Sequence, residues 1–274
     1  MTINNISGIV GNLLLNELSG TSKELMTVFE RLSTGSKINS ASDDAAGLAI
    51  ATRLESQVRA LGVAERNAQM GISMVQTAEG YLGSVTDDLQ RMRELSVQAA
   101  NGTLNDTDRA AIQEEINSLR ENIDYTFQSA EFNSKQIFSG QTQTYLVGTS
   151  SSGTISVEYP AMSAESIGLS AVDVSTQEGA EAAISQTSSA LDDVLEVRTS
   201  LGASQNALES SLNTISQARI DTLSSLSTIR DANIVEELIN QSQLMTQLES
   251  QLMVTSQINK LNRAIIPMLL GEDR

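Results

Sequence analysis

The 274-residue chain has 3% aromatic residues, no Trp, no Cys, no His and a formal charge of −17. Lacking Cys and His, it has no disulfides, no thiol or imidazole metal sites, no Cys–His nucleophile pair and no imidazole acid–base chemistry. The acidic balance argues against nucleic acid and against an anionic membrane surface, and the Ala, Leu, Ile, Val and Met that carry the apolar content suit narrow helix–helix seams. Two prolines, Pro160 and Pro267, leave very long helices allowed. Met1 to Leu15 has neither a basic segment nor a long apolar one, so no cleaved secretory signal is expected, and no apolar run is long enough to span a membrane.

In chain order, apolar residues at Ile3, Ile6, Val10 and Leu13, then Leu25, Val28 and Leu32, follow the three-and-four spacing of an amphipathic helix. Ser33-Thr34-Gly35-Ser36 ends it, and Ser42 or Asp43 is the expected N-cap of the next. That second helix is predicted from Asp44 to Ala100, a span of roughly 85 Å at the helical rise, with Leu54, Leu61, Leu82 and Leu89 on its seam. Gly62, Gly71, Gly80 and Gly83 inside it are read as points of close backbone approach; a helix broken into pieces is the alternative. Asn101-Gly102 ends the helix, and Asp106 to Asp108 opens a shorter one through Ile112, Ile116, Leu119 and Ile123. Residues 141–160 alternate as a β-hairpin around Ser150-Ser151-Ser152-Gly153, and residues 161–186 read as loop. Helix returns from Thr187 to Ile229, with Leu208, Leu212, Ile215 and Leu226 on its seam. A last helix carries Leu238, Leu248, Leu252, Ile258, Leu261 and Ile265 and ends near Pro267.

The fold class expected is mainly α: a long antiparallel coiled-coil or bundle rod with a small β-hairpin insertion. Helices this long with seams this narrow need partner helices, their own or another subunit's. Five acid pairs, Asp43-Asp44, Asp87-Asp88, Glu114-Glu115, Asp192-Asp193 and Glu236-Glu237, resemble catalytic dyads. Neighbours on a helix point about 100° apart, so no pair presents two carboxylates to one substrate. Neither an active site nor a cofactor is expected.

Several runs carry a family resemblance. Glu30-Arg31-Leu32-Ser33-Thr34-Gly35-Ser36 on to Ala41, then Asp43 to Ile50, resemble the N-terminal signature of bacterial flagellin. So do Arg66-Asn67-Ala68, Gly71-Ile72-Ser73, Gln76 to Gly80, Leu89 to Ala99 with Asn101-Gly102, and Glu131-Phe132-Asn133. In the C-terminal half, Gln205-Asn206 and Ile229 to Asn233 leading into Glu236-Glu237 are similar to the same family. The departures are a short middle, Ala207 where many flagellins have Arg, and the end from Ile266 through Pro267 to Arg274.

The resemblance implies a structural subunit that assembles with itself into the extracellular flagellar filament, exported unfolded without a cleaved signal. It implies an inner coiled coil of residues 1–40 and 230–274 around a narrow channel, and a rod of residues 41–229 with the hairpin and loop inserted at about 141–186. The implied inner seam is Ile3, Ile6, Val10, Leu13, Leu238, Leu248, Leu252, Ile258, Leu261 and Ile265. Implied partners are an export chaperone on the C-terminal helix, the filament cap and hook-associated proteins, and a host Toll-like receptor. Arg91, Leu95 and Glu115 match positions that contribute to that receptor's recognition, with subunit packing as their first use. A hook–filament junction protein and a soluble coiled-coil adaptor are the alternatives; Asn101-Gly102-Thr103-Leu104, Asp108-Arg109-Ala110 and Ile137-Phe138-Ser139-Gly140 are somewhat like junction proteins. Asn101-Gly102-Thr103 also fits an N-glycosylation pattern weakly.

Overall fold

The computed structural model describes residues 2–150 and 152–270, with the side chains of residues 2–10, 262 and 264–270 outside the description. Its helices are α1 (Thr2–Thr34), α2 (Ala45–Ala99), α3 (Asp106–Ser129), α4 (Gln177–Arg230) and α5 (Ile234–Leu270). Four short strands, β1 (Glu131–Phe132), β2 (Lys135–Gln136), β3 (Gln141–Leu146) and β4 (Thr154–Tyr159), lie between α3 and α4. The chain divides into two compact units: residues to Ser56 with those from Thr222, and Gln57–Asp221.

In the first unit, α1 ends where Gly35 turns left-handed (φ +69°) and its N–H closes on the Arg31 carbonyl, 2.8 Å. Lys37 N then donates to Arg230 O (2.6 Å) and Ala232 N to Gly35 O (2.9 Å), a main-chain clamp at the base of α1 and α5. The expected α2 cap shifts by a residue. Asp43 instead accepts from Asn39 N and Ser40 N in the preceding turn, while Asp44 Oδ1 takes Gly47 N at 2.8 Å and caps the helix. Those main-chain donors from Ser40 and Asn39 hold the Asp43 carboxyl below its ordinary range.

The second unit is built on heptads. Along α2 one buried stripe runs through Val75, Ala78, Leu82, Val85, Leu89, Met92, Ser96 and Ala99; along α4 another runs through Ala180, Ala183, Thr187, Ala190, Val194, Leu201 and Leu208. Their alternating three-and-four steps keep one narrow stripe turned inward over many turns. Two polar residues lie in the stripe, and each satisfies itself on the helix: Ser96 Oγ donates to Met92 O and Thr187 Oγ1 to Ala183 O, both at 2.8 Å. From α3, Ile112, Ile116, Ile123 and Phe127 join the same cluster.

Several expectations change here. Helix α2 is unbroken, but of Gly62, Gly71, Gly80 and Gly83 only Gly71 is a point of close approach: a Cβ there would lie 3.1 Å from Leu208 Cδ1 and 3.2 Å from the Tyr145 ring. Gly62 meets only Arg219 Nε at 4.0 Å, and Gly80 and Gly83 face open space. Helix α4 starts at Gln177 rather than Thr187, capped by Thr176 Oγ1, which accepts Gly179 N at 3.0 Å. Helix α5 runs past Pro267 to Leu270, since a proline deletes one helical bond without forbidding the next turn. The departing residues 271–274 lie outside the described residues.

The hairpin forms where expected, with β3 and β4 antiparallel and Tyr145 opposite Ile155; its turn includes Ser151, outside the described residues. A second hairpin, β1–β2, turns on Asn133 (φ 50°) and Ser134 (φ 62°), the left-handed pair a two-residue turn requires. Behind it, Phe127 and Phe138 pack edge to face at 5.5 Å. The irregular stretch from Pro160 to Thr176 is less exposed than its small residues suggest, because Ala164, Ile167, Leu169, Val172 and Val174 are buried.

Candidate assembly surfaces

Helices α1 and α5 run antiparallel with two polar bridges between them. Arg31 Nη1 lies 3.3 Å from Glu237 Oε1, and Gln251 Nε2 donates to Thr21 Oγ1 at 3.0 Å. The least exposed line on α1 passes through Leu14, Leu18, Thr21, Leu25 and Val28, and on α5 through Glu237, Leu244, Leu248, Gln251, Thr255 and Ile258. A polar-lined cavity of about 380 Å³ lies between the two helices, with Val28, Arg31, Glu237 and Leu244 in its wall.

This pairing leaves much apolar surface uncovered. Leu13 (60%), Met26 (65%), Leu238 (51%), Leu252 (50%), Met253 (66%) and Leu261 (50%) are half exposed or more. Of the inner-seam residues named from the sequence, Leu248 and Ile258 are half-buried, whereas Leu13, Leu238, Leu252 and Leu261 are exposed. Ile3, Ile6, Val10 and Ile265 lie outside the described side chains. The reason is that each helix carries apolar residues on more than one side. In Leu13-Leu14-Leu15 it is Leu14 that keeps step with Leu18 and Thr21, and on α5 the stripe Leu238, Met245, Leu252 lies one position beyond Glu237, Leu244, Gln251. Of the rod-seam residues, Leu61, Leu82, Leu89, Leu208, Ile215 and Leu226 are buried, and Leu54 and Leu212 are partly so.

The three patch residues divide. Arg91 donates through Nε and Nη2 to Glu115 Oε1 (3.0 and 2.8 Å) and through Nη1 to Glu94 Oε2 (3.3 Å), all among exposed side chains. The Glu115 carboxylate, with Glu94 second, pushes the Arg91 pKa up. Leu95 is only 2% exposed and belongs to the core cluster beneath them. Arg91 and Glu115 are brought together; Leu95 offers no surface in the single chain.

The acid pairs split between separate tasks. Asp43 and Asp44 cap different turns, Glu115 pairs with Arg91, and Glu237 with Arg31. Asp88 accepts from Asn122 Nδ2 at 2.7 Å, and partial burial moves its pKa up. Among the described residues, no three acidic, His or Cys side chains converge to hold a metal, and no helix is long and apolar enough to cross a membrane.

Sequence reasoning missed the side chains that tie loops to helices. Buried Arg109 donates to three main-chain carbonyls: Nε to Ala99 (3.0 Å), Nη1 to Leu104 (3.0 Å) and Nη2 to Asn101 (3.1 Å). It thereby satisfies the open carbonyl end of α2. Gln113 holds the stretch before α4, accepting from Val174 N (2.7 Å) and donating to Val172 O (3.2 Å), and Asp124 accepts from Ala164 N at 2.7 Å. The capping pattern Asn105-x-x-Asp108 was the one local signal nearby, and both of its bonds form.

Long heptad helices with uncovered apolar sides define a helical structural protein that builds with other helices. The comparisons make the family specific. Residues 8–143 match the model of the bacterial flagellin N-terminal helical region and residues 184–269 that of the C-terminal helical region. The flagellar filament 30.7 kDa core protein of Treponema maltophilum is 32% identical over 98% of this chain and 100% of its own length. The flagellin of Halalkalibacterium halodurans is 35% identical over 88% and 90%. In structure, Bacillus cereus flagellin matches 55% of this chain and 88% of its own at TM-score 0.50 and 27% identity. A protein from Vibrio parahaemolyticus assigned to the flagellar hook-associated proteins matches 69% and 100% at TM-score 0.59 and 19% identity, a likeness of fold alone. The chain belongs to the bacterial flagellins, the structural subunits of the flagellar filament.

Proposed function

We propose that assembly into the filament is driven by closing the outward sides of α1 and α5 against neighbouring copies. The observation that carries this reading is the row of half-exposed apolar side chains that the α1–α5 pair leaves open, Leu238, Met245 and Leu252 foremost. Covering one half-exposed Leu or Met gains on the order of 1 kcal/mol, so a single contact is weak. A repeated row on two long helices, met by many copies, is strong. In this reading residues 1–40 and 230–274 form the inner coiled coil around a channel, residues 41–229 the surrounding rod, and the hairpin the outer feature.

The same surface suits export. Ends that bury so little apolar surface of their own are easily unfolded, which suits passage through the flagellar type III apparatus without a cleaved signal. The C-terminal face from Leu238 to Ile265 is where an export chaperone would bind first and neighbouring copies later; the cap and hook-associated proteins are the partners at the filament's ends. Arg91 and Glu115, with Leu95 beneath, serve subunit packing first, and a host Toll-like receptor meets them on the free monomer. The role is structural and not catalytic, since Asp43 and Asp44 are taken up by caps and Glu115 and Glu237 by ion pairs, and adjacent acids on a helix diverge by about 100°.

The junction-protein reading is the weaker one. The Ile229-to-Asn233 run and the two flagellin-region matches favour the filament subunit. Dissociated protein seeded with filament fragments, followed by electron microscopy, tests the proposal. Elongation of the fragments supports it, and a soluble small oligomer that leaves their length unchanged refutes it.

A further inference from the structure

The turn between α2 and α3 contains the chain's sole Asn–Gly pair, Asn101-Gly102, exposed and outside any helix. Four donors converge on the two carbonyl oxygens of Asn101. Thr103 N and Thr103 Oγ1 donate to the Asn101 side-chain oxygen at 3.1 and 3.0 Å. Arg109 Nη2 and Leu104 N donate to the Asn101 main-chain oxygen at 3.1 and 3.2 Å. No glycosylation is needed to give this motif a chemistry.

We propose that this turn promotes its own deamidation at Asn101. The nucleophile is the Gly102 main-chain nitrogen, which loses its proton to a solvent base. The negative charge left on that peptide spreads to the Asn101 main-chain oxygen, where the buried Arg109 guanidinium and the Leu104 N–H stabilise it. The nitrogen attacks Asn101 Cγ. A C–N bond forms and the carbonyl electron pair moves onto Oδ1, where the two Thr103 donors hold it as an oxyanion hole does. Collapse breaks the Cγ–NH₂ bond, and ammonia leaves with a proton from water. Water then opens the five-membered succinimide at either carbonyl, giving aspartate or isoaspartate at position 101. The step needs no oxidant and no co-reactant beyond water. Gly102 places no side chain across the path of attack, and a Cβ there would find only Gln177 Oε1 at 3.6 Å.

The product matters to the fold. Isoaspartate lengthens the main chain by one carbon between two of the carbonyls that Arg109 holds, so the cap on the α2 C-terminus loosens as the chain ages.

The test incubates the full chain in mildly alkaline buffer and follows the one-dalton gain on the Asn101 peptide by mass spectrometry, folded and in urea. An isoaspartyl-specific methyl-transfer assay identifies the product. Preorganisation predicts faster deamidation folded than unfolded. Thr103→Val, which keeps the main-chain donor and loses the hydroxyl, slows it about five-fold, the worth of one hydrogen bond. Gly102→Ala slows it by shielding the nitrogen. Circular dichroism melts confirm that both variants fold. An equal or faster rate in urea, or an unchanged rate in Thr103→Val, overturns the proposal.

Discussion

Arg91 and Leu95 stand one helical turn apart on α2, and their environments separate them. The guanidinium reaches out to Glu115 and Glu94, while Leu95 packs into the cluster with Met92 and Ile116. Truncating a buried leucine costs about 2–5 kcal/mol through lost transfer energy and the cavity left behind. Breaking a half-exposed ion pair costs about 0–1 kcal/mol. Leu95→Ala therefore lowers the urea midpoint of the isolated subunit strongly, and Arg91→Ala leaves it nearly unchanged; equal midpoints for the two variants would contradict this placement. Any loss of filament in Leu95→Ala then arises through the fold, whereas Arg91→Ala reads the surface directly. The family resemblance named Arg91 and Leu95 together, and their four-residue spacing allows two side chains on one helix face. Spacing does not say that a long side chain with a charged tip leaves the interface that its neighbour enters.

At the scale of elements, the long helices were legible because their stripes repeat for many turns; α2 ends within a residue of its expected end before Asn101-Gly102, and α3 begins at Asp106, where its acids were read. What was not legible were features decided by three-dimensional neighbours. Helix α4 starts ten residues early because Ala180 and Ala183 continue its stripe with small side chains that look polar-loop in composition. The β1–β2 hairpin needs only two residues per strand, too few for an alternation to register.

The glycines give the sharpest case. Gly71 and Gly80 are indistinguishable in sequence, yet one seats the hairpin's Tyr145 and Leu208 while the other faces open space. Gly80→Ala should stabilise the isolated subunit by up to about 1 kcal/mol from helix propensity alone. Gly71→Val should force Tyr145 away from α2 and break its hydroxyl contact with Met74. Proteolysis at the hairpin and urea melts read both. A destabilised Gly80→Ala, or a hairpin equally protected in Gly71→Val, would show the seat to be misassigned.

For the whole molecule, the seams inside Gln57–Asp221 close on themselves, and those of α1 and α5 do not. The end helices were recognisable as helices wanting partners, and the family runs told which family. Which side of each helix turns to its own partner was hidden, because Leu13-Leu14-Leu15 and the doubled stripes of α5 satisfy the spacing rule in more than one way. That ambiguity is itself the expected mark of a helix that must meet several neighbours.

The absence of cysteine makes the central claim directly measurable, since one introduced thiol reports one position. Leu238→Cys and Leu252→Cys probe the uncovered side of α5, and Thr149→Cys at the exposed hairpin end serves as the control expected to stay in solvent. Labelling with a water-soluble maleimide before and after seeded polymerisation should modify all three in the dissociated protein. In the filament it should modify only position 149. Equal labelling of positions 238 and 252 in both states would mean that the exposed faces of α5 are not what assembly covers.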